Sequence, residues 1–509
     1  MFGLSQVAFS RNTLVNYVNN DQVNEAKEYI NQYFIKVSRG CIMWDGASED
    51  YEHFKDEEIK ARYLIKPESK KKFDTQYWFF LENHNIYREV VEPSRPPRLY
   101  MNKGGYFFNH FYGYMHSTRP TLLPSRELSE KVDFIWNHIK QILCAGNQTA
   151  YEYLKKWLCH TVSGRKMKTA IYLKSIEGTG KSIITDFFKN HVFGEKIVHY
   201  TSDASCITGQ FNQELLGKVF LILEELPTDT QGQWASLANS LKAPITQDVL
   251  NIKEKYKNSI SIRNNLSIII STNNDAIKIS STDRRFFVPD ISLERVGDHE
   301  YFNYLGMITD DRDVGEAFYW NCIDHANATK TFSEKVLPTT GAKKDQILEH
   351  LGSVYEFIKQ KFVLKHREMD MKFSKFYQLY EAFCDNNKLK PQQPISTAKL
   401  MRNIGIETLK KTNNITWVYA SCKKLVKYYK NKNWIHDLDD YDEPEDEFND
   451  DDDFGLFTNE DEVDYHSDGN DYPCRYDNSS EVHSDTDYSD ITETREYEKD
   501  KKTIIKKRK

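Results

Sequence analysis

The stretch "AIYLKSIEGTGKSIITDFFKN" (170–190) constrains this chain more than any other. An apolar strand runs into a turn with two glycines, then Lys-Ser, then a helical pattern. Glycines at 178 and 180 let backbone N–H groups converge just ahead of a helix N-terminus, so the turn is suited to hold a phosphate. On that reading Glu177, Gly178, Thr179, Gly180, Lys181 and Ser182 bind ATP, with Lys181 reaching the β- and γ-phosphates and Ser182 holding Mg2+. Ser175 stands where the commonest form of such a loop has glycine, at a strand end where a small side chain is accommodated.

A second apolar run, "VFLILEEL", ends in two acids. One carboxylate at such a position organises a metal's water shell and the next polarises an attacking water, which gives Glu224 the metal and Glu225 the base role. Glutamate at 224 is one methylene longer than the commoner aspartate. A third run, "LSIIIST", ends in Asn273 and Asn274, and Asn273 is the amide chosen to orient a hydrolytic water; turn-forming asparagine is the plain alternative. Ten residues on, "TDRRFF" offers Arg284 and Arg285, either of which could reach a neighbouring subunit's nucleotide or pair with Asp283.

The three runs alternate with helical stretches from 169 to about 290, as in a parallel sheet flanked by helices. Ile135, Ile139, Ile142 and Leu143, then Tyr153, Leu154, Trp157 and Leu158, place two helices ahead of the loop. Beyond 340, two helices and a shorter one over about Ser396–Asn403 precede "IETLKKTNNITWVYA", two extended runs around an Asn-Asn turn. That order suggests a winged-helix module. The fold class expected is thus α/β: a P-loop core with a parallel sheet, a helical lead-in and a C-terminal winged-helix-like module. The divisions are 1–128, mixed α+β of unassigned role; 129–168, lead-in; 169–335, core; 340–435, winged-helix-like; 436–509, tail.

Charge separates the tail from the body. Residues 437–500 hold 27 acidic residues against three basic ones, too much like charge to fold alone, whereas 1–436 holds 60 basic and 49 acidic residues. A basic body suits a polyanionic partner. The cysteines form no CxxC pair, which points to a reducing compartment without structural zinc. No apolar run reaches the roughly 18–20 residues of a membrane span and the N-terminus lacks a signal pattern, so the expectation is a soluble intracellular protein with no membrane partner. The terminal "KKTIIKKRK" reads as a nuclear import signal, so the nucleus is one expected location.

Taken together, "EGTGKS", "LILEEL", "LKAPITQDVLNIKEKYKN", "IIISTNN" and "DRRFFV", with the lead-in "QILCAGNQTAYEYLKKWLCH", resemble the superfamily 3 helicases, and within them the helicase portion of viral and plasmid primase-helicases of poxvirus, giant-virus and phage type. The resemblance covers roughly 130–290 and, more loosely, 340–435. It implies an AAA+-like core and an ATP-dependent DNA helicase acting as a ring, a homo-hexamer, alongside other replication proteins at a viral replication site. It also implies that Lys253 and Lys255 lie on a hairpin that touches DNA in the ring's channel, with Tyr256 beside them. Relatives often carry a primase ahead of the ATPase; Asp45, Glu49 and Asp50 are the best acidic candidates in 1–128, and their loop-like spacing argues against priming. The alternative reading keeps the nucleotide but not the motor: an ATP-binding regulatory or structural protein that holds DNA through the winged helix.

Overall fold

Paired short strands with tight turns make the first sheet. Its strands are β1 (Phe34–Val37), β2 (Gly40–Asp45), β3 (Asp50–Phe54), β4 (Ile86–Val90), β5 (Arg98–Asn102) and β6 (Gly105–Asn109), in the order β3-β2-β1-β4-β6-β5. The β1–β2, β2–β3 and β5–β6 pairs are antiparallel, and β4 joins β1 and β6 in parallel. The β1–β2 turn needs Gly40: its φ is 135°, and a Cβ there would meet the Phe54 carbonyl oxygen at 2.3 Å. Helices Arg11–Asn19 and Val23–Tyr33 cover this sheet with Leu14, Ala26 and Ile30 buried against Phe34 and Phe79. In this computed structural model, residues 4–435 and Asp439 are described, except 6, 46–49, 69–71, 83–84, 122–123, 227–230, 281–282, 350, 412–414 and 436–438. The acidic tail, the terminal basic cluster, Glu49 and the Asn-Asn turn read from the sequence lie outside the described residues, Asp439 apart.

The second sheet carries the loop. It comprises β7 (Ala170–Lys174), β8 (Val198–Thr201), β9 (Phe220–Glu224), β12 (Ser267–Thr272) and β13 (Phe286–Phe287), while β10 (Val249–Ile252) and β11 (Ile260–Arg263) form a separate antiparallel hairpin. The order is β13-β7-β12-β9-β8, and every neighbouring pair is parallel. Burial on both faces explains the near-continuous apolar runs of β9 and β12, in which every residue is buried. From β7 the chain crosses to β8 at the far edge, returns through β9 and β12, then passes over β7 to β13. Connections from the adjacent strands β7 and β12 therefore leave in opposite directions, which opens a crevice at their carboxyl ends.

The lead-in helices are Arg126–Gln141, capped by Ser125, and Gln148–Val162, capped by Asn147. They share one core with the sheet and with two helices that the sequence reading did not place, His299–Thr309 and Arg312–Ala328. Trp136 stacks on Phe318 at 4.5 Å, and fully buried Trp157 donates from Nε1 to Thr169 Oγ1 at 3.0 Å.

Residues 341–435 form a further core. Helices Gly341–Glu349, Ser353–Ile358, Phe373–Asn386 and Pro394–Asn403 precede β15 (Glu407–Lys411) and β16 (Ile415–Ala420), which pair antiparallel. The structure adds β14 (Met369–Lys372) against β16 and a closing helix Cys422–Asn431. Among the described residues no helix is long and apolar enough to cross a membrane, and seven cysteines are free thiols.

Trp157→Ala should cost about 3–5 kcal/mol by opening a cavity beneath the sheet. Urea unfolding should show a lowered midpoint at an unchanged slope, and a wild-type midpoint would mean the core does not depend on this ring.

Candidate active site at the carboxyl edge of the parallel sheet

Strand register brings the sequence motifs together. Lys174 pairs with Thr272, and Ser271 with Glu224, so the loop after β7, Glu224 and Glu225 after β9, and Asn273 after β12 share one edge. The loop reaches the helix Lys181–Phe187 through Gly178 and Gly180, each with φ of 78°. Left-handed backbone favours glycine here, and at 180 space demands it: a Cβ would lie 2.8 Å from His138 Cε1 and from Phe302 Cε1.

Lys181 is 5% exposed and its ammonium is turned into the loop. It donates to Ser175 O at 3.0 Å, Ser175 Oγ at 2.7 Å, Ile176 O at 3.0 Å, Thr179 Oγ1 at 3.4 Å and Asn273 Oδ1 at 3.1 Å. Burial lowers its pKa to about 8, against the pull of Glu224, Glu177 and Glu225. The Ser175 hydroxyl, also 2.8 Å from Thr179 Oγ1, is thus part of the lysine's cradle.

Glu224 is 5% exposed and accepts hydrogen bonds from the hydroxyls of Ser182, Tyr200 and Thr185. Tyr200 and Thr185 escaped the sequence reading. Thr185 sits one turn beyond Ser182, and Tyr200 lies on β8, a strand of four residues too short to announce itself. Glu225 is exposed, with φ of 49° at a non-glycine residue, and its backbone N–H donates to Ser271 O at 3.0 Å. Such backbone costs about 1 kcal/mol and collects where geometry is held for a purpose. Asn274 closes its own turn through Thr272 Oγ1, and its carbonyl oxygen also accepts from the Tyr172 hydroxyl at 3.5 Å, whereas the Asn273 side chain faces the lysine.

Other candidate residues lie elsewhere. Phe286 pairs with Ala170 at the amino end of β7, which puts Arg284 and Arg285 at the opposite edge of the sheet, roughly 13 Å of strand from the loop. Arg284 is exposed; Arg285 pairs with Asp283 Oδ2 at 3.3 Å. Lys253, Lys255 and Tyr256 occupy the turn of the β10–β11 hairpin, all exposed, with Tyr256 78% accessible. Asp50, one of the acids weighed for priming, pairs with Arg98 at 2.9 Å and accepts from the Tyr112 hydroxyl.

A profile described as "Family of unknown function (DUF5906)" matches residues 173–285, from the end of β7 to Arg285. A "DNA Primase-polymerase" of Nitratiruptor phage NrS-1 is 25% identical over 205 residues, covering 40% of this chain and 27% of the relative. The match thus spans under a third of that relative's length. The apo C-terminal region of NrS-1 superposes with a TM-score of 0.53 at 15% identity over 79% of this chain and 99% of that one. A second apo structure of the region gives 0.50 at 13% identity, over 79% and 100%. This chain shares sequence ancestry with the phage enzyme and a fold with its C-terminal region.

Tyr200→Phe removes one hydroxyl from a buried carboxylate and should cost about 1.5–3 kcal/mol in chemical unfolding. An unchanged stability would show that Glu224 does not depend on the tyrosine.

Proposed function

We propose that this chain is an ATP hydrolase whose turnover drives unwinding of DNA, of superfamily 3 type and assembled as a ring, in the replication of a virus or mobile element. The observation that carries the reading is the convergence of Lys181, Ser182, Glu224, Glu225 and Asn273 on one edge of a parallel sheet. The five-strand order, with the loop strand between β12 and β13, fits a P-loop core of the AAA+ kind. Relationship to a protein named a DNA primase-polymerase supports DNA as the partner and replication as the setting.

The residues fit the nucleotide. Lys181 holds its ammonium among neutral oxygens with its pKa lowered by burial, and a phosphate beside it would raise that pKa again. Ser182 and Glu224 offer a hydroxyl and a carboxylate side by side, a set suited to Mg2+, which takes its remaining ligands from phosphate oxygens and water. Bound magnesium would neutralise charge on the phosphates. Glu225 projects from its strained turn as the base, and Asn273 would orient the water. The exposed Arg284, at the far edge, suits a site shared with a neighbouring subunit better than Arg285, which is held by Asp283.

The second reading, an ATP-binding protein that grips DNA without unwinding it, draws on charge. Residues 351–435 hold 17 basic and six acidic residues, whereas 1–350 hold 43 of each, so the body's positive excess sits in the C-terminal module. Its helix Pro394–Asn403 exposes Ile395, Lys399 and Arg402 along one stripe, as a winged helix's recognition helix would. DNA-stimulated hydrolysis with strand displacement separates the two readings.

Lys181→Ala should abolish hydrolysis, and Glu225→Gln should bind ATP yet turn it over very slowly. Full turnover in either variant would remove that residue from the mechanism. Nucleotide binding should also take up protons. Near pH 8.5 Lys181 is partly neutral in the free protein and becomes charged beside phosphate; near pH 6.5 it is charged in both states. Calorimetry of ADP binding near pH 8.5, in buffers of different ionisation enthalpy, should therefore show uptake that the Lys181→Ala variant lacks, and uptake unchanged in that variant would assign it to another group.

A further inference from the structure

The first sheet has no part in the reading above, yet it holds the hairpin. Arg39, in the β1–β2 turn, has a side chain only 3% exposed and bonds Glu89 of β4 twice, from Nη2 at 2.7 Å and from Nε at 3.1 Å. Its Nη1 donates to Glu254, in the turn between β10 and β11, whose side chain is 12% exposed. His110 Nε2 lies 3.1 Å from Glu89 Oε1, and Lys257 lies 2.8 Å from Glu254 Oε2. Burial works against ionisation of Glu89 and Glu254, but the bonds to them outweigh it and hold both carboxyls below the usual range.

Two features set the direction of the turn. Asn212 accepts from the Lys253 N–H at 2.7 Å and donates to Asn251 O at 3.0 Å, fixing the hairpin from the side of the second sheet. Along the turn, Glu254 and Lys257 face the first sheet while Lys253, Lys255 and Tyr256 are exposed, with Lys55 Nζ 5.8 Å from the Tyr256 ring centre. A guanidinium shared by one buried and one largely buried carboxylate is a rigid, directional tie, because its planar fork fixes both partners.

We propose that the N-terminal sheet positions the nucleic-acid contact: Arg39, braced by Glu89, holds Glu254 so that Lys253, Lys255 and Tyr256 face the phosphate backbone of single-stranded DNA. The proposal rests on the reading of the hairpin as the DNA contact and gives residues 1–110 a part in it. Arg39 and Glu254 act as positioning residues.

Charge alone and positioning make opposite forecasts. Removing a negative charge from the turn should tighten binding to a polyanion if charge alone matters. If Glu254 positions the lysines, Glu254→Gln should instead weaken binding of a labelled oligothymidylate, measured by fluorescence anisotropy, by roughly 5- to 20-fold, within the usual range of coupling between sites. Arg39→Lys keeps the net charge but loses the fork, and should weaken binding in the same direction. Melting curves on both variants establish that they are folded, and Lys253→Ala with Lys255→Ala, measured alongside, should weaken binding and flatten its salt dependence. Tighter or unchanged binding in folded Glu254→Gln and Arg39→Lys, with the lysine variant weakened, overturns the brace and leaves the DNA hairpin standing. Wild-type binding in the lysine variant overturns the hairpin reading itself.

Discussion

A buried ammonium at the end of a parallel strand is the constraint around which the candidate site is arranged. Lys181 can be enclosed only because Ser175, Ile176, Thr179 and Asn273 supply it with oxygens from two adjacent strands' ends. That in turn requires β12 to lie beside β7, so the strand order and the lysine's environment are one fact. Removing the two glycines would spoil the loop before the lysine arrived, since at 180 any side chain runs into His138 and Phe302.

How far the sequence disclosed this depended on where each signal lay. The runs of β7, β9 and β12 were legible because both faces of each strand are buried and the residues are correspondingly apolar. Strands β8 and β14, of four residues each, carry mixed side chains and gave no periodicity to read. The helices His299–Thr309 and Arg312–Ala328 were missed for a related reason: small and polar residues interrupt their apolar stripe, and tertiary packing decides what propensity leaves open. Motif spacing marked Glu224 but could not name Tyr200, because a cross-strand hydrogen bond leaves no trace in local sequence.

Charge was legible as a total and illegible as a map. A net −7 for the chain, with a basic body behind it, does not say where the cations stand. Concentrating them in 351–435 gives that module its own field, while the loop-bearing sheet sits in a region of balanced charge. The proposed polyanion contact and the proposed phosphate site therefore fall in different parts of the body. The hairpin stands between those roles, with two exposed lysines on a turn whose acid is spent on Arg39.

The two departures from the commonest motif are each met locally. Serine at 175 is not among the residues with left-handed backbone, so nothing at that position requires glycine, and its hydroxyl gives Lys181 its shortest bond. Glutamate at 224 extends one methylene further than aspartate would, and three hydroxyls from two other elements define where the longer carboxylate ends. A longer, freer side chain loses more rotamer entropy when it is fixed; one held by Ser182, Thr185 and Tyr200 has that ordering supplied by the fold. The substitution thus moves the burden of geometry from the length of one side chain to a shell of hydroxyls, and Tyr200 is the member of that shell that the second strand of the sheet contributes.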